Sequence, residues 1–351
     1  MTRDPEAIKP LLRDLGQGPT RGRSLTRDEA RLCLDAILDG RATEAQAGAF
    51  LLLQRYKGET PEELLGFVDA IRGRATTRPL RPKVDGLLDV GSPYDGRLRH
   101  VVVSPAASIV AAACGVPVLM HGEPGVAPKH GLTVGAVIEA LGVRVDLDAA
   151  TVERGIEEAG IGYLAQSRYA PDLAAIKGLR DEIALRSPLN MVEKMYDPAN
   201  APYHLIGLTH LPYLDKLGGA LAGMGFRTTA LVQGMEGNED LVTSRAVRVI
   251  EFARDGGQRE YRLNAADYGL TPVTSDGLLP GEGPARSVEL TLATLAGEAA
   301  DADRDLVLYN AGFRIHLAGR AADVGDGIAQ ARSAVEDGRA RALLERWRSM
   351  R

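Results

Sequence analysis

Between Arg72 and Pro82 the hydrophobic pattern of the chain changes period, and the two sides cannot fold alike. Upstream, three capping boxes mark helix starts: Thr26-Arg-Asp-Glu29, Thr43-Glu-Ala-Gln46 and Thr60-Pro-Glu-Glu63. In such a box the first and fourth side chains satisfy each other's orphan backbone donors. Pro61 sits at a first helical position, where its missing N–H costs nothing. Ala30, Leu34, Ile37 and Leu38 recur on one helical face, and Gly40 stops that helix. Downstream, short apolar runs at Leu87–Val90, Val101–Val103, Val116–Met120, Tyr163–Ala165, His204–Leu208 and Thr229–Val232 alternate with helical stretches. That alternation predicts an α/β unit with a mostly parallel sheet. Val247–Phe252, Asp255-Gly256-Gly257 and Arg259–Leu263 read as a hairpin inserted into the pattern, and Glu289 to Arg348 returns to helices. The predicted fold class is α/β: a small all-helical lobe over residues 1–80, which helices near 170–190 join, and a large α/β lobe over 83–351.

Composition narrows the function classes. A chain of 351 residues with 45% hydrophobic and 25% charged residues is globular rather than disordered. The net charge of −5 argues against a uniformly basic nucleic-acid coat and leaves room for a local basic groove. Cys33 and Cys114, both in apolar stretches, exclude a disulfide framework and an all-cysteine metal site, and fit a reducing compartment. The opening MTRDPEAIKPLL carries both signs of charge and no apolar signal core. The longest apolar run, Ala106–Met120, is broken by Gly115 and Pro117 and is too short to span a bilayer. The expectation is a cytoplasmic protein with no membrane partner.

Several segments can carry chemistry. Asp89-Val-Gly-Ser-Pro-Tyr-Asp95-Gly96 follows a strand, and polar glycine-bearing turns at the carboxyl edge of a sheet are where α/β proteins bind ligands; an ordinary strand-to-helix turn has the same appearance. Ser104 opens an Ala-rich helix as an N-cap, where phosphate or a hydrated cation also binds. His121-Gly122-Glu123 ends another strand, and Lys129-His130-Gly131 forms a basic loop soon after. Gly234-Met-Glu-Gly-Asn-Glu239-Asp240 gathers carboxylates that are costly to hold together without a cation or protons. Magnesium, held by carboxylates, waters and substrate phosphates, suits them, as does a plain solvated acidic loop. Arg180, Arg186 and Lys194 share one stretch with Asn190, and their spacing alone does not place them on one face.

Taken together, these landmarks resemble the anthranilate phosphoribosyltransferase family, within the nucleoside phosphorylase and phosphoribosyltransferase group. The likeness runs nearly the whole chain: Arg55-Tyr-Lys-Gly-Glu-Thr-Pro-Glu-Glu63 is similar to RxKGETPEE, Ala111–Gly115 with His121-Gly122 to AAACG…HG, and Arg186-Ser-Pro-Leu-Asn190 through Pro198 to RTxFN…NP. Ala266–Leu270, Leu295–Glu298 and Asn310-Ala311 continue it in order. The resemblance implies a helical lobe through which relatives dimerise. It also implies magnesium-dependent transfer of a ribosyl 5-phosphate from phosphoribosyl pyrophosphate, with two ions neutralising the leaving group and engaged only with a phosphorylated ligand. Residue by residue, it implies that Glu239 and Asp240 stand on the metal pair in exchanged order. Ser104 stands on the hydroxyl that also meets the metal. Gly91, Ser92, Asp95 and Gly96 belong to the pyrophosphate loop, with His121, Gly122 and Lys129 beside it. Glu123 and Arg180 lie at the acceptor subsite, Arg180 on the arginine that holds the anthranilate carboxylate.

The chain also departs from the family pattern. Pro93 and Tyr94 replace two glycines of the pyrophosphate loop, Val102 an asparagine, Pro105 a threonine, Met120 a lysine and Glu123 an asparagine. Ala170 replaces a histidine, and Glu193-Lys194-Met195 stands where Gly-Pro-Leu is usual. Those changes bring the chain closer to a divergent TrpD-like group. Three readings follow: a phosphoribosyltransferase with an unidentified acceptor, aromatic amines included; a non-catalytic homologue binding single- or double-stranded nucleic acid; and plain anthranilate phosphoribosyl transfer. In the second, Arg97, Arg99, Lys129, His130, Arg168, Lys177 and Arg186 line the vacated cleft and neutralise phosphates.

Overall fold

A computed structural model describes residues 4, 6–18, 21–210 and 213–350 of the chain. The upstream helices are α1 (Lys9–Leu15), α2 (Arg27–Leu38), α3 (Glu44–Lys57) and α4 (Pro61–Arg72). All three expected capping boxes form, at Thr26, Thr43 and Thr60. The last of them does more than cap. Glu63 is fully buried and also accepts from the Leu25 backbone N–H, Gln54 and Lys57, tying three helices to one carboxylate.

Alternating strands and helices then follow: β1 (Leu88–Gly91), α5 (Ser104–Ala113), β2 (Val118–Gly122), α6 (Val134–Ala140), α7 (Ala149–Ala159) and β3 (Ile161–Ala165). Four short helices come next, α8 (Gln166–Tyr169), α9 (Pro171–Ala175), α10 (Lys177–Ile183) and α11 (Leu189–Met195), before β4 (Tyr203–Gly207), α12 (Leu214–Gly223) and β5 (Thr228–Val232). The expected hairpin is β6 (Val247–Ala253) with β7 (Gln258–Leu263). Four helices close the chain, α13 (Ala285–Ala296), α14 (Asp301–Leu317), α15 (Val324–Glu336) and α16 (Arg339–Arg348). Among the described residues, no helix is long and apolar enough to cross a membrane.

The strands form one seven-stranded sheet in the order β3-β2-β1-β4-β5-β6-β7. The first five pair in parallel, and the hairpin adds two antiparallel strands at one edge. Both faces are covered, as a parallel sheet requires. Val90, Val118, Met120, Leu205 and Val232 pack toward α5 and the closing helices. Leu119, Leu164, Ile206 and Leu231 pack toward the upstream helices and α10–α12. The strand order reverses between β1 and β4, so the crevice at their carboxyl ends is the topological switch point, where such sheets bind ligands.

One expectation is corrected. Val101–Val103 is not a strand; it is an irregular segment leading into α5. Its backbone donors go to the Leu278 carbonyl at 2.7 Å, the Ser287 hydroxyl at 3.0 Å and Asp240 at 3.3 Å, so no ladder forms. The apolar run marks burial in the core and not sheet pairing.

α14 is buried almost throughout and crosses α15 at two glycines. A Cβ on Gly312 would lie 2.6 Å from the Ile328 nitrogen, and one on Gly327 would lie 2.2 Å from the Gly312 carbonyl oxygen. Gly312→Ala is expected to destabilise the fold by about 1–3 kcal/mol through overpacking. Gly48→Ala, in open space on α3, is expected to stabilise it by about 0.5–1 kcal/mol. Urea denaturation of both variants checks this; equal shifts would contradict the close crossing.

Candidate functional site

Two main-chain segments close over the switch point. A Cβ on Gly91, at the end of β1, would lie 2.2 Å from the Lys194 carbonyl oxygen, and one on Gly207, at the end of β4, would lie 1.8 Å from that of Asn238. Backbone therefore fills the crevice between β1 and β4. The loop after β1 is filled as well. Tyr94 is buried, its hydroxyl 2.7 Å from His121 Nδ1 and hydrogen-bonded to that of Tyr196. Tyr196 stacks on Tyr169 and on His121. His121 Nε2 lies 3.2 Å from Asp89, which also faces His204 on the neighbouring strand. Burial pushes the His204 imidazole down to about 4, so it stays neutral at physiological pH. His121 and Gly122 thus end β2 beside the loop, with the imidazole committed to Tyr94 and Asp89.

The carboxylates of the loop after β5 meet two arginines. Glu239, Asp240, Arg97 and Arg314 are each no more than 5% exposed. Arg97 Nη1 donates to Asp240 Oδ2 at 2.5 Å, and its Nη2 lies 3.5 Å from Glu239 Oε1. Arg314 Nη2 donates to Asp240 Oδ1 at 3.2 Å and to the Ser104 hydroxyl at 2.8 Å. Ser92 donates to Glu239 Oε1 at 2.5 Å. Burial alone would raise the Asp240 carboxyl, but Arg97 and Arg314 outweigh it and hold the group below the usual carboxylate range. Ser104 is the first residue of α5 with Val103 before it, so the expected N-cap role is corrected: its hydroxyl makes no cap bond and accepts from Arg314. Glu236 stands apart, bound to the backbone N–H groups of Leu98 and Arg99 and to His100.

The other site residues are also engaged. Asp95 takes a two-pronged contact from Arg186 at 2.8 and 3.2 Å, with Lys129 Nζ 3.7 Å away. Gly96 turns the loop back, donating to the Pro93 carbonyl at 3.1 Å. Glu123 accepts from Lys177 and from the Ser167 N–H, both at 3.0 Å. Arg180 is buried on α10 and paired through both terminal nitrogens with Glu193, Nη2 to Oε2 at 3.0 Å, while Gln166 steadies Glu193 at 2.9 Å. Lys194 is buried with only carbonyl partners, Gly207 at 2.6 Å and Gly237 at 3.3 Å. Burial, with Arg186 adding, pushes its ammonium down to about 8. A cavity of about 210 Å³ opens beside it, lined by Arg55, Glu59, Asp95, Arg186 and Lys216 among others.

The basic groove is not assembled as expected. Arg97 is buried in the ion network rather than lining a cleft. Lys129, His130, Lys177 and Arg186 pair with Asp95 or Glu236, Asp181, Glu123 and Asp95. Among the described residues, Arg99 and Arg168 are exposed without an ion pair. Sequence reading also missed Arg314, Glu193 as the partner of Arg180, and the buried Lys194 ammonium. Arg314 had a signal, being a lone charge inside the apolar run from Leu306 to Leu317.

Two family models match the chain: the glycosyl transferase family helical bundle domain over residues 9–75 and the glycosyl transferase family a/b domain over residues 95–341. The anthranilate phosphoribosyltransferase of Anaeromyxobacter dehalogenans (strain 2CP-1) is 38% identical over 325 residues, 92% of this chain and 94% of that protein. The chain belongs to the anthranilate phosphoribosyltransferase family. The family's Rubrobacter xylanophilus member is 31% identical over 337 residues, 96% of each chain. The solved enzyme of Thermus thermophilus has a TM-score of 0.83 at 29% identity over 98% of both chains. A Saccharomyces cerevisiae structure in complex with PRPP and Mg shares the fold, with a TM-score of 0.84 at 17% identity over 97% of each.

The residues present do not fit a divalent cation as folded. Magnesium is held by one or two available carboxylates together with waters and substrate phosphates. Here two carboxylates face two guanidiniums, and Glu239 Oε2 is the one oxygen of the pair left without a partner. Among the described residues, no group of three or more His, Cys, Asp or Glu side chains is placed to hold a metal.

The Asp240 carboxyl supplies a pH signature. Its folded pKa lies below the unfolded value of about 3.9. Its stabilisation is therefore complete above that value and lost as pH falls through the folded pKa. Asp240→Asn is expected to cost about 3–5 kcal/mol at neutral pH, by leaving buried guanidinium charge uncompensated, and to flatten the fall in stability below about pH 4. Denaturant titrations across pH measure both. An unchanged acid limb would contradict the pairing.

Proposed function

We propose that the chain is a phosphoribosyltransferase of the TrpD type that receives a phosphorylated sugar in the cavity beside Asp95, Arg186 and Lys194, with an acceptor other than anthranilate. The observation that carries the reading is the Arg180–Glu193 pair. By resemblance Arg180 is the arginine that holds the acceptor carboxylate, and here a carboxylate of the chain itself already occupies both terminal nitrogens out of water. An anionic acceptor would have to displace Glu193 and leave it buried and unpaired, which is costly. The acceptor class that suits this site is an uncharged or cationic nucleophile. In the transfer, its lone pair bonds to the anomeric carbon, the bond from that carbon to pyrophosphate oxygen breaks, and pyrophosphate leaves with the electron pair. The acceptor's proton goes to solvent.

Support for the sugar-phosphate half comes from the family. The curated relatives are named anthranilate phosphoribosyltransferases, and the yeast structure is a complex with PRPP and Mg. Cations on the cavity wall suit a phosphate: Arg55, Arg186, Lys194 and Lys216.

Calorimetry with phosphoribosyl pyrophosphate is expected to show binding, and Lys194→Met to weaken it by about tenfold or more, since a hydrogen bond to a charged group contributes about 1.5–3 kcal/mol. Phosphoribosylated anthranilate, followed by chromatography, is expected to form at least about a thousandfold more slowly than with the Anaeromyxobacter relative. Two or more lost contacts of that size account for such a factor. Turnover comparable to the relative's would overturn the acceptor assignment.

A further inference from the structure

The ion network at the end of the sheet is built as a finished unit. The Arg97 backbone exchanges hydrogen bonds with Leu132 at 2.9 Å in both directions, and its guanidinium also donates to the Val101 carbonyl at 3.1 Å. Arg314 rises from a buried helix and donates to the Asn310 carbonyl at 3.0 Å. Asp240 is held from behind, its N–H bonded to Asn238 Oδ1 at 2.9 Å and its Oδ2 accepting from the Val103 N–H at 3.3 Å. Neither guanidinium hangs from a mobile surface stem. For a divalent ion to reach Glu239 and Asp240, Arg97 would have to leave a buried position fixed by its own backbone. The displaced charge would then have no partner.

We propose that Arg97 and Arg314 occupy the place of the divalent cation in this chain, so that the cleft takes its phosphorylated ligand without a metal. A guanidinium matches carboxylate and phosphate geometry in a planar fork and cannot lose its charge. Two of them against two carboxylates give local neutrality, and an anionic ligand then meets no net repulsion. Arg314 Nε and Glu239 Oε2 are the polar atoms of this unit that remain buried without partners. This inference rests on the phosphorylated-ligand reading above, and its test separates the two.

Manganese serves as a paramagnetic stand-in for magnesium. With the full chain alone, titration of Mn²⁺ is expected to leave the free-ion electron paramagnetic resonance signal undiminished at millimolar metal. Arg97→Met, which restores net negative charge, is expected to take up Mn²⁺, and Arg97→Met/Glu239→Gln to lose it again. In parallel, the wild-type affinity for phosphoribosyl pyrophosphate, measured by calorimetry in chelator and in magnesium, is expected to agree within about twofold. A wild-type signal loss that Glu239→Gln abolishes would overturn the proposal. So would an affinity that rises about tenfold with magnesium and loses that rise in Glu239→Gln. If phosphoribosyl pyrophosphate binds under neither condition, the phosphorylated-sugar reading fails, and the manganese titration of Arg97→Met and Arg97→Met/Glu239→Gln still decides the present one, since an Arg97→Met protein that takes up no Mn²⁺ would overturn it. Should Arg97→Met not fold, the two wild-type measurements and Glu239→Gln remain sufficient.

Discussion

Asp240 stands between Arg97 and Arg314, and four distant parts of the chain meet at that carboxylate. The loop after β1 reaches it through Arg97, the segment entering α5 through the Val103 N–H, and the closing helices through Arg314, while Asp240 itself belongs to the loop after β5; Ser92 binds the adjacent Glu239 and Ser104 binds Arg314. Taking such charges out of water is expensive, and buried pairs often add little net stability over an apolar core. Their consequence is an asymmetry: the set is tolerable complete, while removal of one member leaves a buried charge without compensation. The Gly312–Gly327 crossing lies on the same helix as Arg314, two residues before it.

A second pair repeats the logic on the other side of the cleft. Glu193 pairs with both terminal nitrogens of Arg180, and Tyr94 is buried in the loop where the family resemblance places glycine. Both cases place the chain's own side chains where the family resemblance puts ligand contacts. What stays open is the cavity beside Asp95, Arg186 and Lys194. Lys194 sits there as a buried ammonium with a lowered pKa, bonded only to carbonyls, so its charge is less compensated locally than that of Arg97 or Arg180.

The legible features were those written locally. A capping box is closed within a single turn of chain, so Thr26, Thr43 and Thr60 could be read directly. The hairpin at Asp255-Gly256-Gly257 announced itself in the same way. Val101–Val103 misled because an apolar triplet reports burial without saying which partners take its backbone donors. Arg97 misled for a different reason. Its carboxylate partner is 143 positions away, and nothing nearby in the chain distinguishes a guanidinium bound for the core from one bound for solvent. Glu193 was visible as a departure from the family pattern, yet its pairing with Arg180 depends on how the short helices α10 and α11 fold back on each other. Ser92, Ser104, Glu239 and Asp240 could thus be singled out as candidates from sequence, while their engagement by Arg97, Arg314 and one another required the fold.

Neutralisation of the site carboxylates from within the chain can be seen directly. Crystals soaked in manganese and pyrophosphate, with diffraction collected at the manganese absorption edge, locate any bound ion by its anomalous scattering. No anomalous peak is expected beside Glu239 and Asp240, with the guanidiniums of Arg97 and Arg314 still on Asp240. A manganese peak between those carboxylates, with Arg97 swung away, would contradict it.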